Sequence, residues 1–173
     1  MRKNSVLMII VVILLGLMLF SGCGKRKEPA FAVFLVDSEL PAVEALSVPL
    51  KDLALPESAL LTMEDVVRYQ PGTCELTLTD EAAERIRQLA IPLDGLPFVV
   101  VAQGERIYAG AFWTPVSSLG YAGIAAVFWM EEDAVTLRFS RGYPASPDLF
   151  EGTDLRNDAR ILEAFSEAEK LME

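Results

Sequence analysis

The side chains in this sequence that could do chemistry are few and poorly supported by one another. Cys23 and Cys74 carry the only thiols, and Ser117-Ser118 is an adjacent pair of hydroxyls. Each needs a base to become a nucleophile, and the 173 residues include no histidine. Serine-histidine-aspartate and cysteine-histidine catalysis are therefore excluded within one chain. The commonest metal ligand is missing with them. No Ser-x-x-Lys pattern supplies a lysine base, so Ser117 and Ser118 read as a hydrogen-bonded turn after Trp113-Thr114-Pro115. Cys74 alternates with Leu76 and Leu78, which marks a small buried hydrophobe rather than a reactive thiol. Asp148, Glu151, Asp154 and Asp158 surround Gly152. Their spacing misses the EF-hand loop, and Arg156 and Arg160 neutralise several of them. Asp154 or Asn157 capping the last helix accounts for part of the cluster.

No Gly-rich phosphate loop, paired-cysteine metal motif or dinucleotide fingerprint occurs, so neither cofactor nor metal is expected. With 25 acidic and 15 basic side chains, the formal charge of −10 argues against nucleic acid as a partner. The aromatics remain. Tyr108, Phe112, Trp113 and Tyr121 gather at a hairpin and the loop after it. Aromatic loop residues at the end of a sheet make recognition surfaces. They are also ordinary core material in a domain of this size. These four are the candidate surface for a partner or ligand, no catalytic residue is assigned, and the chain reads as a non-enzyme.

The amino terminus carries an address. Arg2 and Lys3 precede an uncharged apolar run over residues 6 to 20, and Ser21, Gly22 and Cys23 follow. That is the pattern of a secretory signal, and the run is shorter than the roughly 20 apolar residues of a comfortable membrane span. Leu19-Phe20-Ser21-Gly22-Cys23 resembles the lipobox of bacterial lipoproteins, with Phe20 standing where Leu, Val or Ile is usual. The resemblance implies that residues 1–22 are a signal peptide and that Cys23 carries the lipid. The other reading is an uncut signal anchor. Either places the body outside the cytoplasmic membrane, facing the periplasm or the extracellular side. Cleavage would leave 151 residues with 13 basic and 25 acidic side chains, a formal charge of −12. Residues 23–30 then form a short tether whose Lys25-Arg26-Lys27 each gain on the order of 1 kcal/mol beside anionic headgroups. With Cys23 acylated, Cys74 has no intrachain disulfide partner.

Residues 31–173 read as one domain. Phe31 to Val36 is an apolar strand, and Pro41, Pro49 and Pro56 interrupt the stretch after it. Thr62 followed by Met63-Glu64-Asp65-Val66 looks like a capped short helix. Residues 74–79 form a half-buried strand. Thr79 caps a helix over 80–90 whose stripe is Ala82, Ala83, Ile86, Leu89 and Ala90. Phe98 to Val101 and Glu105 to Trp113 flank Gln103-Gly104 as a hairpin. Residues 124–130 and 135–140 form a second pair about Glu131-Glu132-Asp133. From Asn157 the tail is helical through Ile161, Ala164, Phe165, Ala168 and Leu171. The expected fold is α+β: a mostly antiparallel sheet with helices packed on one face.

Several of these segments together have a known look. Leu61-Thr62-x-Glu64-Asp65-Val66, Leu76-x-Leu78-Thr79-x-Glu81-Ala82-Ala83-x-Arg85, Phe98-Val99-Val100-Val101 and Gly104-Glu105-Arg106-Ile107 resemble the periplasmic domain of SecD, a component of the bacterial protein-export translocase. The resemblance implies a small α+β domain and covers about a third of the chain. The translocase's multiple transmembrane segments are not in this sequence, so its export role is not carried over. With Gly110 to Pro115 and Arg141-Gly142-Tyr143-Pro144 included, the mature chain is more similar to small exported bacterial proteins of unknown function. The expectation is a lipid-anchored binding module, accessory to an envelope or membrane protein. A small-ligand or peptide receptor is the alternative, favoured by a cavity of a few hundred Å³ between sheet and helix. A histidine-independent hydrolase ranks last.

Overall fold

The computed structural model describes residues 28–36, 39–130, 135–146 and 148–172, with 129 and 130 described as backbone only. The expected signal peptide, Cys23 and the Glu131-Glu132-Asp133 turn lie outside the described residues. The elements are β1 (Phe31–Leu35), α1 (Ala42–Ala45), a 3-10 turn (Leu50–Asp52), β2 (Leu61–Thr62), a second 3-10 turn (Met63–Asp65) and β3 (Val66–Gln70). They continue as β4 (Glu75–Leu78), α2 (Asp80–Arg87), β5 (Leu96–Ala102), β6 (Glu105–Phe112), β7 (Tyr121–Met130), β8 (Val135–Tyr143) and α3 (Ala159–Glu167). One eight-stranded sheet runs β2-β1-β5-β6-β7-β8-β4-β3. All pairs are antiparallel except β6 and β7. The α+β architecture with a mostly antiparallel sheet follows the sequence pattern.

Local chemistry explains most of these elements. The apolar run of β5 is buried at every position because both faces of the sheet are covered there. The β5–β6 hairpin turns on Gln103 and Gly104, both at positive φ (51° and 78°), as a two-residue primed turn requires. Thr79 caps α2 by accepting from the Ala82 N–H at 3.3 Å. Helix α3 is capped by Asp158, not by Asp154 or Asn157: the Asp158 carboxylate accepts from the Arg160 N–H at 3.0 Å. Cys74 does not lead strand β4. It sits in the turn before it at φ 54°, with its side chain still in the core. The expected short helix at Thr62 is a single 3-10 turn leading straight into β3, a strand the sequence pattern did not reveal.

The two longer helices cover one face. Ala82, Ala83 and Ile86 of α2 and Ile161 and Phe165 of α3 pack with Phe31, Val33, Leu76, Phe98, Val100, Phe112 and Leu137 into the main core. Helix α1 departs from the one-face expectation. It belongs to the proline-interrupted segment between β1 and β2, which covers the opposite face. Ala45 and Leu53 lie on Val99 and Val101 there, and Ala42 packs with Trp113 and Tyr121. Arg106 fastens this cover to β6 by donating to the carbonyls of Leu50 (2.7 Å) and Leu53 (2.8 Å).

Strands β2 and β3 are the two edges of the sheet, yet only Met63–Asp65 separate them in sequence. Three residues span at most about 10 Å even when extended. The sheet must therefore curl until its edges approach each other. Asp65 holds the corner, accepting from the Thr62 N–H at 2.8 Å and the Thr62 hydroxyl at 3.0 Å, and pairing with Arg85 of α2. From the other side Lys170 donates to the carbonyls of Met63 (2.8 Å) and Val66 (2.6 Å). The segment after α3 lines the exposed edge of β3: the Tyr69 N–H donates to Lys170 O and the Met172 N–H to Tyr69 O.

Burial pushes the Asp65 carboxyl up, but the hydrogen bonds from Arg85 and Thr62 together outweigh it and hold the carboxyl below its ordinary 3.8. A depressed carboxyl stabilises the fold fully above its unfolded value, and that stabilisation is lost as pH falls through the folded one. Asp65→Asn should cost about 1 kcal/mol near neutral pH. In urea titrations the gap from the parent protein should be constant above about pH 5 and should narrow below pH 4. A gap independent of pH would assign the loss to shape and not to charge.

Candidate functional site

The structure places the four sequence-expected aromatics inside the protein and divides them between two cores. Tyr108 and Phe112 face α2 and α3, where Phe98 packs 5.0 Å from Phe112 and 6.3 Å from Tyr108, ring centre to ring centre. Trp113 and Tyr121 lie on the opposite face, stacked at 4.9 Å and 20°. Trp113 is 0% exposed and Tyr121 1%. The expected recognition surface is thus core material. Bulky aromatics gain more from complete burial than from a half-wet loop position, and this sheet has two covered faces on which to bury them. Burial also pushes the Tyr108 and Tyr121 phenols well above their ordinary value, so neither is a base at neutral pH.

What reaches solvent around Trp113 is aliphatic. Leu93, Val116 and Leu119 are half or more exposed, on two loops joined by the Ser117 hydroxyl, which donates to Leu93 O at 2.5 Å. Ser117 also accepts from the Leu119 N–H at 3.2 Å, the hydrogen-bonded turn that the sequence suggested. The buried Trp113 indole N–H has no hydrogen-bond partner among the described residues. Beneath the indole, Gly95 holds φ +86°, and a Cβ there would lie 2.4 Å from the ring.

A polar network occupies the other end of β8. The Tyr69 hydroxyl, buried under Phe165, shares its one proton between Asn157 Oδ1 at 2.7 Å and Arg156 O at 3.0 Å. The Asn157 amide donates to Pro71 O at 3.0 Å, and the Cys74 thiol donates to the same carbonyl at 3.4 Å. Cys74 is a buried free thiol, as its face-sharing with Leu76 and Leu78 implied. Arg156 grips Asp154 as a fork, Nε–Oδ1 at 2.8 Å and Nη2–Oδ2 at 2.6 Å, and donates through Nη1 to Phe139 O at 2.7 Å. The Arg156 guanidinium holds the Asp154 carboxyl below the usual carboxylate range. Asp154 and Asp158 are thereby engaged by arginines, and no group of three or more potential ligands among the described residues is placed to hold a metal ion.

Outside that network lies a groove of about 210 Å³, lined by Thr73, Arg138, Ser140, Arg141, Ser146 and Arg156 with Phe139 and Ala145. Strand β4 pairs with β8 only from Glu75 to Thr77, so beyond Arg138 the edge of β8 is open on that side. The Cys74 carbonyl, the Arg156 side chain and the Ser146 N–H take up its next polar groups. Arg138 donates to Glu75 at 2.6 Å. The Arg141 side chain forms no hydrogen bond or ion pair among the described residues. Arg138 and Ser140 alternate along β8 with the buried Leu137 and Phe139. Nothing in sequence connects them to Thr73 or Arg156, which the β3–β4 turn and the loop after β8 deliver.

Between sheet and helices there is no receptor-sized space at this point. The void framed by Phe31, Tyr69, Tyr108 and Phe165 amounts to about 10 Å³, less than a bound metabolite needs. On the opposite face an open hollow of about 320 Å³ lies among Val36, Leu40, Val48 and Leu53, with Glu39 and Asp52 at its rim. No family model, curated protein or solved structure matches the chain.

The Trp113 packing makes a direct prediction. Gly95→Ala combines a positive φ with a clash against the indole and should cost at least about 2 kcal/mol. Gly152, at φ +106° with nothing within 4 Å of where a Cβ would stand, is the control for strain alone. Urea unfolding of Gly95→Ala and Gly152→Ala should therefore differ. Equal losses would mean that the indole yields.

Proposed function

We propose that this chain is a lipid-anchored, extracytoplasmic binding module, an accessory to an envelope or membrane protein, attached through Cys23. One observation carries the reading: the lipobox-like Leu19 to Cys23 stands only a few residues ahead of the folded body. Pro29 O and Ala30 O already accept from the Gly104 and Gln103 N–H groups at 3.2 and 2.9 Å. A domain gripped that close to its anchor is held against the membrane, with little freedom to reach distant targets. The exposed aliphatic loops at Leu93, Val116 and Leu119 sit at the opposite end of β5 and β6 from that attachment. They take over the contact role first read into the four aromatics. The hollow at Val36 and Leu53 supports the second reading, a small-ligand or peptide receptor, because its apolar floor and acidic rim suit an amphipathic cation.

Metabolic labelling with a palmitate analogue, followed by membrane fractionation, tests the anchor. The parent chain should be labelled and sediment with membranes, while Cys23→Ser should lose both label and sedimentation. A Cys23→Ser protein that stays membrane-bound would identify residues 6 to 20 as an uncut anchor. A photocrosslinker at Val116, exposed at the tip of its loop, should yield one dominant envelope-protein adduct. A folded, anchored protein without an adduct would count against that loop and favour the ligand reading.

A further inference from the structure

From Glu28 onward the chain holds all 25 of its acidic residues and only ten basic ones, yet three arginines converge on the groove beside β8. Among the described residues, no carboxylate lines that groove. Glu75 engages Arg138, and Asp154 engages Arg156. These pairs fix the two guanidinium groups in place, and Arg156 keeps N–H donors beyond those that Asp154 takes, because a guanidinium carries five in a fixed fork. Arg156 is further fixed by its bond to Phe139 O. Arg141 is different: exposed, charged, and held by no acceptor among the described residues, although its charge is felt at Asp154. Ser140 and Ser146 add two hydroxyls, while the Thr73 hydroxyl on the same wall donates to Glu75 Oε2 at 2.7 Å.

We propose that the groove formed by Arg138, Arg141 and Arg156 with Thr73, Ser140 and Ser146 is an oxyanion site that takes a phosphate group. Its lining side chains are rich in donors, and they exceed the roughly four lone-pair sites of one planar carboxylate. A tetrahedral phosphate offers more acceptor positions and suits converging guanidinium forks. A volume of about 210 Å³ admits a phosphate and part of the group that bears it. The phosphate belongs either to a soluble ligand or to a lipid headgroup, since the recognising chemistry is the same. Arg138 and Arg156 are preorganised by their carboxylates, and Arg141 closes on the anion. The proposal does not depend on acylation of Cys23.

The test uses the full chain reconstituted in phosphatidylcholine vesicles. Inorganic phosphate is titrated at constant ionic strength, with chloride as the reference anion, and thermal unfolding is read by Trp fluorescence. Arg141 has no hydrogen bond or ion pair to lose among the described residues, so Arg141→Gln is the informative variant. Arg87→Gln, on the exposed side of α2 beside Glu84, removes the same charge elsewhere. Saturable stabilisation by phosphate, weakened about tenfold in Arg141→Gln and unchanged in Arg87→Gln, would establish the site and point to a soluble ligand. If phosphate has no effect, the same proteins are placed in vesicles containing phosphatidylglycerol. Amide-exchange protection of β8 and of the 145–156 loop that disappears only in Arg141→Gln would establish the site with a lipid headgroup as its occupant. A phosphate response matched by chloride, equal responses in both variants, or no response in either vesicle would overturn the proposal.

Discussion

A three-residue corner constrains the whole sheet. Met63, Glu64 and Asp65 are all that separate one edge strand from the other, so the eight strands must curl far enough to bring their ends together. Curling is cheap for a twisted sheet, but it needs a fixed point. That point is supplied from three directions: Thr62 and Asp65 within the turn, Arg85 from α2 and Lys170 from the tail. Two of these come from elements that also fill the concave side of the sheet. The corner and the core therefore depend on each other. Without α2 and α3 there is nothing to curl around, and without the corner the tail has no edge to lie along.

The same curvature decides where aromatic residues can go. A sheet covered on both faces has two interiors, and alternation along β6 feeds each in turn, Phe112 to one and Trp113 to the other. The connection from β6 back to the parallel β7 is only eight residues, 113–120, where such crossovers usually need a dozen or more. It is short because β6 and β7 pair over only Gly110–Phe112 and Ile124–Ala126. Stacking Trp113 on Tyr121 joins the start of that connection to its end. The stack holds a tight connection in place, and among the described residues the indole N–H is left without an acceptor in consequence. Aliphatic side chains on the outside of the loop are what a partner would meet.

Much of the architecture was legible because it rests on short-range rules. Thr79 before α2, the Gln103-Gly104 turn, the alternation through Leu76 and Leu78 and the stripe through Ile161 and Phe165 each follow from neighbouring residues alone. Strand β3 was not legible: Val66, Val67, Arg68, Tyr69 and Gln70 follow a capping pattern that also fits a helix. Only pairing with β4 and the tail makes them extended. Asp158 wins the α3 cap over its neighbours because Asn157 is claimed by Tyr69 and Asp154 by Arg156. Those are partners tens of residues away or in a loop of no regular pattern. The candidate surface failed for a related reason. Aromatic clustering in sequence marks burial and recognition equally, and a second covered face cannot be read from a strand's alternation.

Charge distribution ties the groove to the rest of the molecule. The acidic body sets up a negative field that lowers the concentration of every anion near the surface, and salt screens that field beyond about 8 Å. Within the groove the balance reverses at hydrogen-bond range, where guanidinium forks act at distances too short to be screened. The two scales filter in different ways. The long-range field disfavours extended polyanions, which must bring many charges close at once. The short-range donors accept one compact oxyanion whose few charges meet the arginines directly. An acidic protein with such an arginine-lined groove is therefore more selective for an isolated phosphate than a basic protein with the same groove would be.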